Sequence, residues 1–196
     1  MKISEELIAR FKQLLEAARQ AGDSEPTAMT LATADTDGRV SARTVLLKDV
    51  DRRGFIFYTN LGSHKGQQLS RHPQAALLFL WKTLQQQVQV KVEGRVQLVP
   101  DAEADAYFAL RPRDSQLGAW ASLQSETLPQ RELLLERMAQ YRQQYDGLQV
   151  PRPPYWSGFV LDPDMLEFWF GQPFRLHLRE RFEARDGSWV ARALYP

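Results

Sequence analysis

The amino-acid sequence predicts a mainly β protein with peripheral helices, an α+β fold in which the strands form an antiparallel barrel. About seven or eight short segments with strand character are separated by glycine, proline and aspartate turn signals. Apart from a short polar segment at 62–71, helical periodicity is confined to the N-terminal residues and to 101–145. Strands do not alternate with helices and no G-x-G-x-x-G motif follows a strand, so a Rossmann nucleotide site is not expected.

Length and composition fit a single domain over residues 1–196. Apolar residues make up 43% of the chain and charged residues 25%, the balance of an ordinary globular protein. The formal net charge of +1 gives no strong field that would attract nucleic acid or a membrane surface. Any binding of anions therefore has to come from local clusters of basic residues.

Several kinds of site and segment are excluded or not expected. The chain has no cysteine, which excludes disulfides, a thiol nucleophile and zinc–thiolate sites and fits a cytoplasmic location. No two of the three histidines have the spacing of metal ligands, so no metal is expected. Glu5 and Glu6 interrupt the N-terminal segment, which does not resemble a signal peptide. The longest apolar run, Ala75–Trp81, is too short to span a bilayer.

The first predicted element is a helix near the N-terminus. Ser4 is its predicted N-cap, Glu5 and Glu6 suit the positive end of the helix dipole, and Gly22 is a candidate for its end. Apolar residues recur there at helical spacing, namely Ile3, Leu7, Ile8, Phe11, Leu14, Leu15 and Ala18.

Strands follow this helix. They are predicted over 29–34, 40–48 and 55–59, with a hairpin turn at Asp37–Gly38 and a second turn at 52–54.

The next elements are a short polar helix over 62–71, which stops before Pro73, and two strands. The run 75–81 is continuously apolar and predicts a buried strand, whereas 85–99 alternates with period two.

The periodicity changes after residue 100. Helices are predicted over 101–110, with Asp101 as the N-cap, over 115–122 and over 129–145. Three prolines at 151, 153 and 154 form a stiff connection. The C-terminal region returns to strands, predicted over 158–161, 165–170, 175–182 and 189–194.

Four basic clusters are candidates for function, and the C-terminal one has the clearest pattern. Arg175, His177 and Arg179 alternate, so a strand would place them on one face. They would repel one another unless a phosphate or a reduced flavin lay against them. The alternative is a solvated edge strand with its basic residues directed outward.

Two further clusters have similar alternatives. Arg43 and Lys48 lie five residues apart at the ends of one predicted strand, hence on opposite faces, and either bind two ligands or extend into water. Ser63, His64 and Lys65 open a predicted helix, where a phosphate would be stabilised. The alternative there is an N-capping serine followed by surface cations.

The fourth cluster runs from Arg111 to Ser115. Tyr107 and Arg111 are four residues apart and would share a helix face if that helix continued. Arg113 and Asp114 are alternatively a local ion pair. Since no catalytic serine, acid pair or metal cluster is visible, such a site suits chemistry supplied by a bound cofactor.

Aromatic residues have two interpretations. Trp81, Trp120 and Phe168 are expected in the core, whereas Tyr107 and Trp169 have polar atoms that a ligand could use.

Taken together, the segments resemble the pyridoxamine/pyridoxine 5′-phosphate oxidase family over most of the chain. The resemblance rests on the order and spacing of Arg43–Lys48, Phe57–Ser63, Arg111–Gln116, Gly118–Trp120, Gln124–Ser125, Glu167–Trp169 and Arg175–His177. It implies an FMN-binding split β-barrel that forms a homodimer with shared active sites. The chain departs from the family pattern at His64, which is often arginine, and at Leu178, which is usually aspartate.

The resemblance also assigns site residues. Those expected to bind FMN are Arg43, Thr44, Val45, Leu46, Leu47, Lys48, Tyr58, Thr59, His64, Lys65, Gln87, Gln124, Ser125, Trp169 and Arg179. Those expected to bind substrate are Lys48, Tyr107, Arg111, Ser115, Arg175, Leu176 and His177, of which Arg175 and His177 are the expected catalytic pair.

The implied reaction is oxidation of pyridoxamine 5′-phosphate and pyridoxine 5′-phosphate to pyridoxal 5′-phosphate, with O₂ as acceptor and H₂O₂ as product. Two alternatives remain open from the sequence. One is a phenazine-pathway flavin oxidase of the same fold, and the other is a non-catalytic protein that binds FMN or pyridoxal phosphate. Neither nucleic acid nor a membrane is an expected partner.

Overall fold

A nine-stranded antiparallel sheet forms the centre of the computed structural model, which describes residues 2–196. The strands are β1 Ala28–Ala34, β2 Val40–Leu46, β3 Asp49–Asp51, β4 Gly54–Asn60, β5 Gln74–Trp81, β6 Val88–Leu98, β7 Trp156–Phe170, β8 Leu178–Arg185 and β9 Ser188–Leu194. The sheet is not closed, since its order is β2-β1-β5-β6-β7-β4-β3, with β8 and β9 branching from β7. This architecture agrees with the predicted antiparallel fold.

Five α-helices surround the sheet within the described residues. They are α1 Glu5–Gln20, α2 His64–Arg71, α3 Asp101–Ala109, α4 Arg113–Ala121 and α5 Arg131–Gln144. Each corresponds to a predicted helix. No helix of residues 2–196 has both the length and the apolar character needed to cross a membrane.

The main core lies between α1 and the sheet. The Phe11 ring of α1 packs edge-on against Phe55 and Phe79, with both ring centroids 5.0 Å away.

The predicted N-cap of α1 is confirmed, because the Ser4 hydroxyl accepts a hydrogen bond from the Leu7 amide. Gly22, at a φ of +80°, follows the helix as predicted.

Two strand predictions were too simple. The predicted strand 40–48 ends at Leu46, and a short strand, β3, follows after Lys48. The run 75–81 is a strand, but burial alternates along it, and Leu80 is 42% exposed. The second face of this strand is therefore only partly covered by the rest of the chain. The continuous apolar run had predicted burial on both faces.

The predicted strands 158–161 and 165–170 are one continuous strand, β7. Asp162, Pro163 and Asp164 resemble a turn in sequence, but here they lie beside a register shift between Glu93 and Gly94 of β6. A bulge tolerates a proline that cannot donate to the ladder. Gly94 is required there, since an added Cβ would lie 2.1 Å from the Asp162 carbonyl oxygen.

Two further predictions were wrong. Asp101 is the first residue of α3 and not its N-cap, because Pro100 holds that position and no side chain caps the helix. Arg175 and His177 do not alternate along a strand with Arg179. Arg175 ends a 3₁₀ turn that begins at Pro173, and β8 starts only at Leu178.

Candidate active site

The main candidate site is a cleft of about 680 Å³ between β2, β4, the start of α2 and the α3–α4 region. A cleft of this size accommodates a cofactor together with a small substrate. It brings together eight of the residues expected to bind FMN, namely Thr44, Val45, Leu46, Lys48, Tyr58, Thr59, Lys65 and Gln124. It also contains three more residues expected to bind substrate, Tyr107, Arg111 and Ser115.

One wall of the cleft is an edge strand. Thr44, Val45 and Leu46 belong to β2, which lies at the end of the sheet order and pairs with β1. An edge strand presents backbone N–H and C=O groups that its single neighbour does not use. Such a row of donors and acceptors suits a flat heterocycle with alternating polar atoms.

Three stacked aromatic rings form another wall. Tyr58 stacks on Tyr107, at 4.0 Å between ring centroids, and on Trp156, at 5.2 Å, and the planes of each pair are within 10° of parallel. Burial raises the pKa of Tyr58 to about 12, so its phenol stays protonated and can donate. The stack fits closely, since a Cβ added at Gly158 would lie 2.6 Å from Tyr58 Cε1.

Arg111 is the most distinctive charged group of the cleft. Its guanidinium lies over the Trp156 ring, 4.8 Å from the centroid. Its Nη1 atom is buried and has no hydrogen-bond partner within residues 2–196. Burial lowers the pKa of Arg111, which means that its charge is poorly solvated. A buried cationic donor without a protein partner has the charge and the free N–H that an anion such as phosphate would use.

Tyr107 and Ser115 lie close to Arg111 along the chain, although not on one continuous helix. The α3 helix ends at Ala109, and the Arg111 amide donates to the Phe108 carbonyl in the turn that follows. The condition for a shared helix face is therefore not met, but the turn still places all three side chains in the same cleft.

Lys65 is a second cation of the cleft. Its ammonium donates to Gln124 Oε1 at 2.8 Å and to the Ser63 hydroxyl at 3.2 Å. Burial, followed by the nearby charge of Arg43, lowers the pKa of Lys65 to about 8. Ser63 is the N-cap of α2, so both alternatives from the sequence hold in part: a capping serine and a cation directed into the cleft.

Four of the residues expected to bind FMN do not line the main cleft. Arg43 donates to Thr33 Oγ1 and to Gln68 Oε1, and Leu47 is part of the core. His64 and Ser125 are exposed. Their roles stay predictions.

A second group of expected site residues lies near the start of β8. The His177 ring packs on Trp169, with 4.5 Å between centroids, and His177 Nδ1 accepts a hydrogen bond from the Gln172 amide. That bond leaves Nε2 of a neutral His177 as the donor. Trp169 and Arg179 line a smaller cleft of about 350 Å³, whereas Arg175, Leu176 and Gln87 are exposed.

Arg179 does not need an external anion. The carboxylate of Glu167, a residue with no role assigned from the sequence, accepts from Arg179 and from Arg181. Arg113 and Asp114 do not pair with each other either. Arg113 donates to backbone carbonyls, and Asp114 pairs with Arg142.

Trp156 was also missed by the sequence analysis. It lies under both Arg111 and Tyr58, but in sequence it is one aromatic residue after a proline-rich connection, with no spacing that marks it. The expectations for Trp81 and Phe168 are confirmed, since both are core residues.

Comparison with known proteins agrees with this architecture. Residues 14–169 match the family model described as pyridoxamine 5′-phosphate oxidase, and residues 156–196 match the pyridoxine 5′-phosphate oxidase C-terminal dimerisation region. A Myxococcus xanthus protein named pyridoxine/pyridoxamine 5′-phosphate oxidase is 56% identical over 96% of this chain and 91% of its own. A protein of the same name from Xanthomonas campestris is 55% identical over 97% of both chains.

Solved structures of similar proteins share the fold. PhzG from Burkholderia lata, in complex with tetrahydrophenazine-1-carboxylic acid, superposes with a TM-score of 0.91 and is 34% identical, covering 96% of this chain and 92% of that one. A pyridoxamine 5′-phosphate oxidase-related, FMN binding protein from Nostoc punctiforme has a TM-score of 0.78 at 16% identity over the full length of both chains, a likeness of fold alone. With its family match over residues 14–169 and more than half of its residues shared with these oxidases, the chain belongs to the pyridoxine/pyridoxamine 5′-phosphate oxidase family.

Proposed function

We propose that this protein is an FMN-dependent oxidase that converts pyridoxamine 5′-phosphate and pyridoxine 5′-phosphate to pyridoxal 5′-phosphate. Family membership and two relatives of that name at about 55% identity over nearly the whole chain support this activity. The structural observation that carries it is the buried, unpartnered Nη1 of Arg111 in the main cleft. Substrates of this class carry a phosphate, which is the anion such a donor requires.

The substrate phosphate is proposed to lie among Arg111, Tyr107, Ser115 and Lys48. All four line the same cleft, and together they offer two cations and two hydroxyl groups. Arginine suits phosphate because its planar fork can donate two parallel hydrogen bonds. Holding the phosphate orients the pyridine ring, so positioning is the main contribution of these residues to catalysis.

The cleft also fits FMN. The edge of β2 at Thr44–Leu46 offers backbone donors and acceptors to a flat ring, while Lys65, in its desolvated position, suits the cofactor phosphate. Tyr58, Thr59 and Gln124 would complete the binding of the cofactor. When bound, FMN would supply the redox chemistry, a two-electron oxidation of the substrate with O₂ as the final acceptor and H₂O₂ as the product.

Assembly is proposed to complete the site. The C-terminal residues 156–196 match a dimerisation region, and they contain Arg175 and His177, which do not line the main cleft of their own chain. In a homodimer, the Arg175 and His177 of one protomer would cover the substrate bound in the partner's cleft. His177 Nε2 would then donate to a polar group of the substrate ring. The cytoplasmic location expected from the sequence stays a prediction.

A second candidate is a flavin oxidase that acts on phenazine precursors. The observation that favours it is the TM-score of 0.91 to PhzG, whose structure contains a tetrahydrophenazine carboxylic acid. Such a ligand carries a carboxylate and no phosphate, so it would leave much of the cluster around Arg111 and Lys48 unused. A protein that binds FMN or pyridoxal phosphate without turnover is the third candidate.

Turnover with detection of H₂O₂ separates these candidates. The purified protein, loaded with FMN, is given pyridoxine 5′-phosphate, pyridoxamine 5′-phosphate or a dihydrophenazine carboxylate. The proposal expects peroxide and pyridoxal 5′-phosphate in equal amounts from the two phosphorylated substrates. Preferential oxidation of the phenazine substrate supports the second candidate. FMN binding without peroxide from any substrate supports the third.

A further inference from the structure

The Pro173–Arg175 turn combines an exposed aromatic side chain with an unfavourable backbone. Phe174 is 92% exposed in the single chain. Its backbone adopts a left-handed conformation, with φ of 59° and ψ of 19°, and Arg175 follows with φ of 64°. A bulky residue in that conformation is a genuine outlier. Strain of this kind persists where the surroundings enforce it, commonly at functional sites.

A single chain would gain nothing from phenylalanine at this position. Glycine or asparagine adopts the left-handed conformation at less cost and exposes no apolar ring to water. Leu176, two residues later, is also 65% exposed, so the turn presents two large apolar side chains. Both lie in residues 156–196, which match a dimerisation region. A second copy of the chain is therefore the partner that fits this surface.

The rim of the main cleft offers a matching apolar residue. Leu110 lines the cleft beside Arg111 and is 83% exposed. It follows α3 directly and is held by the turn that positions Arg111. Leu110 is thus an exposed apolar side chain at the edge of the cleft, which an aromatic ring of the partner would cover.

We propose that Phe174 of each protomer packs on Leu110 of the partner subunit, at the mouth of the partner's cleft. This contact fixes the turn in its left-handed conformation and so holds Arg175 and His177 over the substrate. Phe174 is thus a positioning residue that acts through its neighbours. The placement of Phe174 at the partner's cleft and its effect on substrate rest on the assembly and function proposed above, whereas dimerisation is measured without substrate.

The test uses substitutions that remove the ring and relieve the backbone together. Phe174→Asn and Phe174→Gly would stabilise the fold and leave assembly unchanged if the side chain stayed in water. The proposal expects instead that both substitutions weaken dimerisation. Because a two-fold dimer contains the contact twice, the dissociation constant of the FMN-loaded dimer should rise about tenfold or more, measured by sedimentation equilibrium. Phe174→Tyr should stay close to the parent protein.

Kinetics supply the second measurement. KM for pyridoxine 5′-phosphate should rise roughly threefold to tenfold at protein concentrations where the variants are dimeric, because Arg175 and His177 lose their fixed placement.

Leu110→Asn should weaken the dimer similarly, and combining it with Phe174→Asn should weaken the dimer little more than either change alone. Asp186→Gly is the matched control, since Asp186 is an exposed left-handed residue in the same region without an apolar ring.

The outcomes distinguish this inference from the function on which it partly rests. Variants that dimerise as tightly as the parent overturn the contact, whatever their activity. Additive effects of Leu110→Asn and Phe174→Asn overturn the pairing of these two residues. If the parent protein dimerises through Phe174 but oxidises no substrate, the contact stands and the proposed function fails.

Discussion

The buried carboxylate of Glu167 holds Arg179 in place, with Arg179 Nε 2.8 Å from Glu167 Oε1. The second carboxylate oxygen accepts from Arg181 at 2.9 Å. Glu167 is only 5% exposed. Burial alone would raise the pKa of Glu167, but the hydrogen bonds from Arg181 and Arg179 outweigh it and hold the pKa below its usual range. One acid on β7 thus orients two arginines on β8.

We expect Glu167→Gln to destabilise the protein. The substitution keeps the shape of the side chain but removes the buried counter-charge that Arg179 and Arg181 share. Because both arginines still reach solvent, we expect a loss of about 2 kcal/mol, below the cost of breaking a fully buried pair. Urea unfolding at pH 7 measures this difference in the free energy of unfolding.

The pH dependence gives the same prediction a second check. A carboxylate whose pKa is lowered on folding stabilises the protein above its unfolded pKa, and this contribution disappears as pH falls through the folded pKa. The difference in the free energy of unfolding between the parent protein and Glu167→Gln should therefore disappear at low pH. Glu183→Gln is the control, since the Glu183 side chain is 21% exposed, against 7% for Glu167, and pairs mainly with the more exposed Arg185 and Arg192, so it should matter less. If that difference in the free energy of unfolding stayed the same at low pH, it would contradict the role of the ionised carboxylate.

Strand periodicity predicted β6 well and the start of β8 badly, for a physical reason. The valines of β6 alternate because one face packs in the core, and Val88, Val90 and Val92 are buried. Arg175 and His177 alternate with Arg179 in sequence, but the left-handed backbone at Phe174 and Arg175 interrupts the strand. Positive φ at non-glycine residues has no sequence signal.

The cleft was predicted better by family resemblance than by pattern. Spacing alone placed Tyr107 and Arg111 on one helix face only if that helix continued, and α3 ends at Ala109. The stack of Tyr58 on Trp156 joins residues almost 100 positions apart, and only the antiparallel pairing of β4 with β7 brings them together. Contacts of this kind depend on strand register, which local sequence does not encode.

We expect Gly158→Ala to disturb the aromatic wall of the cleft. The added Cβ would lie 2.6 Å from the Tyr58 ring, and that ring has little room to shift because it already packs on Tyr107, at 4.0 Å between centroids, and on Trp156, at 5.2 Å. Overpacking of this kind costs about 1–3 kcal/mol. Thermal unfolding measures the loss of stability, and FMN titration should show weaker binding because Tyr58 is displaced.

Gly118→Ala provides the matched control for that substitution. Gly118 lies inside α4, and a Cβ added there meets nothing within 4 Å. Alanine in a helix is preferred over glycine by up to about 1 kcal/mol, so this variant should be slightly more stable than the parent. If both variants unfold at the same temperature, the close packing of Gly158 against Tyr58 does not constrain the fold.

FMN binding should weaken as pH rises above about 8. Lys65 has a pKa lowered to about 8 by burial and then by Arg43, so it loses its proton there in the free protein. A phosphate beside it favours the charged form and raises that pKa again. Binding at pH 8.5 should therefore take up protons, which titration calorimetry in two buffers of different ionisation enthalpy detects.

Lys65→Arg tests whether this lysine is responsible. An arginine stays charged, so the fall of FMN affinity between pH 8 and pH 9.5 should disappear in the variant. Lys12→Arg is the control, since Lys12 lies on α1 against Asp49 and outside the main cleft. A pH profile that is identical in parent and Lys65→Arg would assign the FMN phosphate to another cation.

Arg111→Ala should lower kcat/KM for pyridoxine 5′-phosphate by roughly one to two decades. Charge-assisted hydrogen bonds contribute about 1.5–3 kcal/mol, and each decade corresponds to about 1.4 kcal/mol. The loss should appear mainly in KM, because the phosphate is remote from the reacting carbon and is held alike in the ground and transition states. Steady-state kinetics with peroxide detection measures both constants.

Two comparisons make the assignment of Arg111 specific. Unphosphorylated pyridoxine should be a poor substrate for the parent enzyme and lose little further in Arg111→Ala, because it lacks the group that the guanidinium binds. FMN content should stay the same, since Lys65 and the β2 edge, not Arg111, are expected to hold the cofactor. Normal KM for pyridoxine 5′-phosphate in the variant would remove Arg111 from the substrate site. Loss of FMN instead would place its unpartnered Nη1 at the cofactor phosphate.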